Sequence, residues 1–129
     1  MEEMIETEVL VVGGGPAGAS AARYLAMHGR NTILIQRNLT FKKPCGGGLR
    51  MDAFETFDLD HDLIEKCVNT IELVYKDTRI AVDISKTPLA IVDRVAFDTS
   101  LREKAVHAGA KLYKATWIDC EIFDTHIIS

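Results

Sequence analysis

Hydrophobic and polar positions along this chain change period several times, and each change marks a new element. Residues 8–12 form a short apolar run, entered from a polar lead and closed by three glycines. Such a run predicts a buried parallel strand, since both faces of a strand are apolar when helices cover both sides of its sheet. Alanine-rich residues 16–28 follow as a helix, with Pro16 suited to the first turn and Gly29 placed to end it. Residues 31–36 are a second strand, β-branched and apolar. The segment through Gln36 thus predicts strand, helix and strand, at the ~30-residue size of one βαβ unit.

Residues 37–50 lose all periodicity and hold Pro44 and three glycines, Gly46, Gly47 and Gly48. A loop this rich in glycine inside a compact domain is usually functional. Short helices are predicted at residues 51–57 and 61–66. Residues 69–75 and 80–84 read as two strands joined by a turn at Asp77, with residues 89–92 as a third. These antiparallel strands interrupt a parallel pattern and suggest a second layer or subdomain. Residues 93–109 are the next helix: Asp93 is the candidate N-cap, and Val95, Leu101, Ala105 and Ala108 share an apolar face. Strands at residues 111–116 and 118–123 follow. The pattern as a whole is α/β, a parallel sheet with a few antiparallel strands.

Composition narrows the picture modestly. The protein has 129 residues, 47% of them hydrophobic and 26% charged, which suits one ordinary globular domain. A net charge of -4 and the lack of any basic block argue against a nucleic-acid partner. Lys42 and Lys43, flanked by Arg37 and Arg50, suit one small phosphorylated ligand instead. The opening Met-Glu-Glu-Met carries acid where a targeting segment carries base, and no run nears the ~18 apolar residues of a membrane span. A cytoplasmic location is expected. Cys45, Cys67 and Cys120 are an odd number without a close pair, and the four histidines lack ligand spacing. Neither a disulfide framework nor a metal site is expected.

The chemistry is carried by Gly13-Gly14-Gly15-Pro16-Ala17-Gly18, a G-x-G-x-x-G motif directly after a strand and at the opening of a helix. Gly13 allows the tight turn, Gly15 allows backbone to approach a pyrophosphate, and Gly18 allows helix and strand to pack closely. The helix start offers unpaired N–H groups and a positive partial charge. One element departs from the pattern. The second strand of such units ends on Asp or Glu, which accepts from ribose hydroxyls; here it ends on Gln36, an uncharged acceptor. Arg37 beside it is a candidate for a phosphate or for stacking on adenine.

These residues resemble a family. Residues 11–20, with Ala21 and Ala22, resemble the start of FAD-dependent oxidoreductases of the aromatic-hydroxylase superfamily, the p-hydroxybenzoate hydroxylase-like proteins. Within it, Lys43-Pro44-Cys45-Gly46-Gly47-Gly48-Leu49 resembles the Cys-Gly-rich loop of the geranylgeranyl reductase family. Asp93-Arg94-Val95-Ala96-Phe97-Asp98 is similar to that family's Arg-x-x-Phe-Asp helix. The resemblance implies FAD as cofactor, with Gly13, Gly15, Pro16, Ala17 and Gly18 around the pyrophosphate and Gln36 and Arg37 at the adenosine. It further implies contacts from Cys45, Gly46, Gly47, Gly48 and Leu49, from Arg94 to phosphates or ribose, and from Ile118 near adenine. Cys45 is the candidate catalytic thiol, near flavin and substrate. Trp117, Tyr24, Tyr75 and Tyr113 are assigned to core or rim rather than to the site.

By the same resemblance, the reaction expected of the complete protein is reduction of carbon–carbon double bonds in a prenyl group by reduced flavin, with NAD(P)H as a candidate electron donor. The substrate would be a prenyl lipid, and the complete protein would touch a membrane peripherally. Two alternatives share the first glycine motif: an FAD-dependent monooxygenase or halogenase, and a non-catalytic truncated nucleotide-binding product. The resemblance covers only the first third of a family member, and the family's later Gly-Asp and Asp-Gly motifs do not occur. The expectation is therefore an N-terminal part of an FAD-binding domain over residues 1–129, with residues 58–92 opening a β-rich substrate subdomain. Such a piece is expected to bind FAD weakly, to lack turnover and to expose a sheet edge prone to association.

Overall fold

The computed structural model describes residues 3–129. In sequence order its elements are β1 (Val9–Val12), α1 (Pro16–Met27), β2 (Thr32–Gln36), β3 (Gly48–Arg50), α2 (Ala53–Thr56), β4 (Ile64–Val68) and β5 (Thr70–Tyr75). There follow β6 (Thr78–Asp83), β7 (Leu89–Val92), α3 (Arg94–Ala108), β8 (Lys111–Lys114), β9 (Glu121–Ile122) and β10 (Ile127–Ile128). They fall into two compact units. One comprises the residues up to Phe41 together with Asp98–Ser129, and the other is Lys42–Phe97.

The first unit is built on a parallel sheet in the order β1-β2-β8. Two parallel strands joined in sequence need a crossover, and α1 supplies it between β1 and β2. Register sets Val11, Leu34 and Leu112 side by side across the three strands. Leu34 at the centre of that row is fully buried, as are Ala19 and Ala22 on α1, whose small side chains let the helix lie close to the sheet. Leu101 and Ala105 bury the inner face of α3. Thr32 is also buried, and its hydroxyl donates to Arg30 O at 3.0 Å, so no polar group is stranded there.

Three strand expectations change. β1 is not buried on both faces: Leu10 and Val12 are 38% and 52% exposed. Val11 faces α1, and side chains alternate along a strand, so Leu10 and Val12 point to the opposite face. β1 is also an edge of its sheet, with β2 as its one neighbour among the described residues. Residues 118–123 do not form one strand; residues 115–120 carry no regular structure, and β9 and β10 pair as a short antiparallel hairpin. β8 likewise ends at Lys114, after which Ala115 N–H donates to Gln36 O at 3.1 Å.

The second unit holds a three-stranded antiparallel sheet in the order β3-β7-β4 and a β5–β6 hairpin. Ala90 and Val92 on the central strand are buried, as is Phe54 on α2. The predicted helix at residues 61–66 is replaced by one 3-10 turn at His61–Leu63 and then β4. Asp60 closes the turn by accepting from Asp62 N–H at 3.0 Å. Pairing with β7 then outweighs the weak local preference of residues 61–66 for a helix. The same strand draws Gly48 to Arg50 out of the expected loop to form β3. Asp93 caps α3 as predicted, its Oδ1 accepting from Ala96 N–H at 2.9 Å. No helix among the described residues is long and apolar enough to cross a membrane.

Leu34 carries the core of the first unit. Leu34→Ala is expected to lower unfolding stability by about 2–5 kcal/mol. Urea denaturation followed by far-UV circular dichroism measures this, and a change below about 1 kcal/mol would show that the sheet centre is loosely packed.

Candidate functional site

The glycine motif turns the backbone from β1 into α1, and its glycines perform separate tasks. Gly13 sits at φ +101°, a backbone conformation that L side chains rarely adopt, and its N–H donates to Ile35 O at 2.9 Å. A Cβ on Gly18 would overlap the carbonyl oxygen of Gly13, so α1 can approach β1 only with glycine there. Gly15 differs from both. It is the N-cap of α1 at φ -72° and ψ -174°, and a Cβ built on it meets nothing within 4 Å. Among the described residues no side chain caps α1, and its first turn holds no acidic residue. The N–H groups of a helix's first turn have no partner inside the helix, so they and the positive end of the dipole are available to an anion.

Gly14 is held between two side chains. Its N–H donates to Gln36 Oε1 at 2.6 Å, and its carbonyl accepts from Arg102 Nη1 at 2.9 Å. Gln36 Nε2 in turn donates to Asn38 O at 3.0 Å. Both ends of the Gln36 amide are therefore engaged within the turn and the loop after β2. Sequence reasoning considered Gln36 only as a ribose acceptor and did not single out Arg102.

Beside this turn lies a cavity of about 320 Å³, lined by Val12, Gly13, Ile35, Gln36, Arg37, Asn38, Phe41, Ala115, Thr116 and Trp117. It sits at the carboxyl ends of the parallel strands, where open α/β sheets place their ligands. Of the expected site residues, Gly13, Gln36 and Arg37 come together here. Gly15, Pro16 and Ala17 stand at the start of α1. Ile118 does not line the cavity and is 86% exposed. Trp117, set aside as core or rim, does line it. The signal for Trp117 was its position just past β8, but which strand neighbours β2 is decided by pairing between segments distant in sequence.

The second unit gathers Cys45, Gly47 and Arg94. Gly47 N–H donates to Cys45 Sγ at 3.3 Å and Arg94 Nη1 donates to the same sulfur at 3.2 Å. Gly47 is at φ +72°, and a Cβ there would collide with Val92 O. That contact brings the loop onto β7, where Val92 N–H donates to Gly47 O at 3.0 Å. Gly46 has open space around it, Gly48 opens β3, and half-buried Leu49 pairs with Ala90. The Gly47 N–H and then the Arg94 guanidinium favour the thiolate, holding the exposed Cys45 thiol below its ordinary pKa.

A family model described as an FAD binding domain matches residues 6–122. The chain belongs to this family. Its cofactor is FAD, and the open space at Gly15, the uncapped start of α1 and the adjoining cavity fit the pyrophosphate and adenosine of such a dinucleotide. The chloroplastic geranylgeranyl diphosphate reductase of Oryza sativa subsp. japonica is 38% identical over 118 residues, 88% of this chain and 25% of its own length. A geranylgeranyl bacteriochlorophyll reductase-like protein from Thermoplasma acidophilum superposes with a TM-score of 0.81 at 29% identity. That alignment covers 92% of this chain and 32% of the other. A flavin-dependent brominase superposes at 0.76 with 18% identity, covering 95% and 32%, which shows a shared fold alone. This FAD-binding protein thus spans about a quarter to a third of the length of these relatives.

The lowered Cys45 pKa has a direct test. In a variant with Cys67→Ser and Cys120→Ser, the alkylation rate by iodoacetamide should reach half its maximum below the ordinary thiol value of about 8.5. Arg94→Gln should move that midpoint upward and slow alkylation at pH 7, because the thiolate fraction falls when a donor is lost. An unmoved midpoint would show that the guanidinium does not hold the thiolate.

Proposed function

We propose that this protein is the dinucleotide-holding part of a flavoprotein reductase of the geranylgeranyl reductase type, acting on carbon–carbon double bonds of a prenyl group. The observation that carries the cofactor half is Gly15, the one glycine of the motif that is both at the helix start and free of neighbours. There the first-turn N–H groups of α1, with Pro16 and Ala17, hold the pyrophosphate, and the cavity with Gln36 and Arg37 receives the adenosine. FAD, when bound, supplies hydride chemistry, and the protein's part is to bind, orient and exclude water. Gly46, Gly48 and Leu49 offer backbone contacts to the same cofactor, Arg94 an anion-binding guanidinium, and Ile118 a backbone contact.

Cys45 is the proposed reacting-site thiol. With its pKa lowered by the Gly47 N–H and then by Arg94, its thiol ionises more readily than an ordinary cysteine and is a candidate base or redox-sensitive group. The Cys-Gly-rich loop that carries it favours a reductase over a monooxygenase or halogenase. A prenyl lipid substrate, peripheral membrane contact and an NAD(P)H electron donor belong to the proposal for the complete protein.

Two substitutions separate fold from cofactor. Gly15→Val should leave the circular dichroism spectrum unchanged and lower FAD affinity by about 100-fold or more, because its side chain enters the space left for the pyrophosphate. Gly18→Ala should instead destabilise the fold itself by roughly 1–3 kcal/mol. Flavin absorbance of the purified proteins after incubation with FAD reads the first effect, and thermal melting reads the second. Retained FAD affinity in Gly15→Val would overturn the placement. For the complete protein, saturation of prenyl double bonds by the dithionite-reduced enzyme supports the reductase, whereas oxygen-dependent hydroxylation or halogenation supports its rival.

A further inference from the structure

Arg102 is a charged side chain that the fold buries, at 5% exposure. It does not line the cavity. Its stem packs under Gly14, where an added Cβ would stand 2.9 Å from Arg102 Cδ. Its guanidinium donates to Gly14 O at 2.9 Å, to Leu39 O at 2.8 Å and to Thr99 Oγ1 at 3.2 Å. All three acceptors are uncharged. Burying a cation is a costly way to fill space, so core filling by itself does not explain the choice of arginine.

The two carbonyls explain it better. Gly14 follows the cavity-lining Gly13, and Leu39 lies between the cavity-lining Asn38 and Phe41. One planar fork therefore ties both rims of the cavity to α3. The peptide bond adds a second consequence. It is planar and trans, so the carbonyl of Gly14 and the N–H of Gly15 point in opposite directions. Holding the carbonyl inward on a buried guanidinium turns the Gly15 N–H the opposite way, away from Arg102. With Gln36 on the N–H of Gly14, neither peptide flanking Gly14 can rotate without losing a hydrogen bond.

We propose that Arg102 is a positioning residue for nucleotide binding, one that orients the Gly15 N–H and fixes the separation of the two cavity rims before a ligand arrives. The proposal rests on the nucleotide reading of the cavity and names a residue outside it. A lysine cannot replace the fork, because its single ammonium has no rigid planar pair of donors to span the two carbonyls.

The test compares Arg102→Met and Arg102→Lys with the unsubstituted protein, using 5′-ADP and FAD as probes. Calorimetric titration is run at a temperature where circular dichroism shows each variant folded. Arg102→Met should bind both probes about tenfold or more weakly, and Arg102→Lys should fall between. In the unliganded proteins, amide order parameters of Gly14, Gly15 and Leu39 should drop in Arg102→Met while those of Ile33 and Leu34 stay unchanged. A merely structural role would lower the melting temperature and leave the affinity of the folded protein within about twofold, which overturns the proposal. Should Arg102→Met fail to fold, Arg102→Lys decides by the same criteria. Should the unsubstituted protein bind neither probe, the nucleotide reading fails, and the order parameters still decide whether Arg102 holds the turn.

Discussion

At the start of α1, the backbone of Gly18 comes so close to the carbonyl of Gly13 that no Cβ fits between them. This contact sets the distance between helix and sheet, and the features of the first unit follow from it. Ala19 and Ala22 continue the same seam with the smallest side chains that still favour a helix. Gly13 takes a positive φ so that the strand can end and the helix begin almost at once. The N-terminus of α1 is thereby delivered to the carboxyl ends of β1, β2 and β8, where the cavity opens. The exposed start of α1 is in this sense a by-product of close packing: the geometry that forbids a side chain at Gly18 leaves the first-turn N–H groups beside bare backbone.

Glycine has another task in the second unit. Gly47 is compelled by its positive φ and by Val92 O, and its placement turns its N–H onto the sulfur of Cys45. The thiol therefore owes its lowered pKa first to a backbone donor, and then to Arg94 arriving from the start of α3. Asp93, which caps that helix, and Arg94, which reaches the sulfur, are neighbours in sequence with separate duties.

Much of the first unit was legible residue by residue because its determinants are local. The apolar run of β1, the glycine motif, the alanine-rich α1 and the β-branched β2 follow one another within one short stretch, and their order alone predicts the βαβ unit. The helix capped by Asp93 was legible for the same reason. Residues 64–68 were not. The helix expected at residues 61–66 runs into them, but β7 offers a pairing partner more than twenty residues away, and that pairing decides. Residues 118–123 failed in the opposite sense: a segment alternating apolar and acidic residues pairs over only two residues, Glu121 and Ile122, with β10.

By itself the sequence determined the class of ligand, since a strand, a G-x-G-x-x-G turn and a helix start suffice to present N–H groups to a pyrophosphate. It also determined which loop carries the thiol. Only the tertiary structure decided how those parts are held. Gln36 proved to brace the glycine turn, Trp117 to line the cavity, and Arg102 to bind the Gly14 and Leu39 carbonyls. The reason is physical: a turn is specified by the dihedral freedom of its own residues, whereas the partners of its carbonyls and the walls of its cavity come from strands and helices distant in sequence. Their identity depends on strand order and register, and no local pattern encodes either.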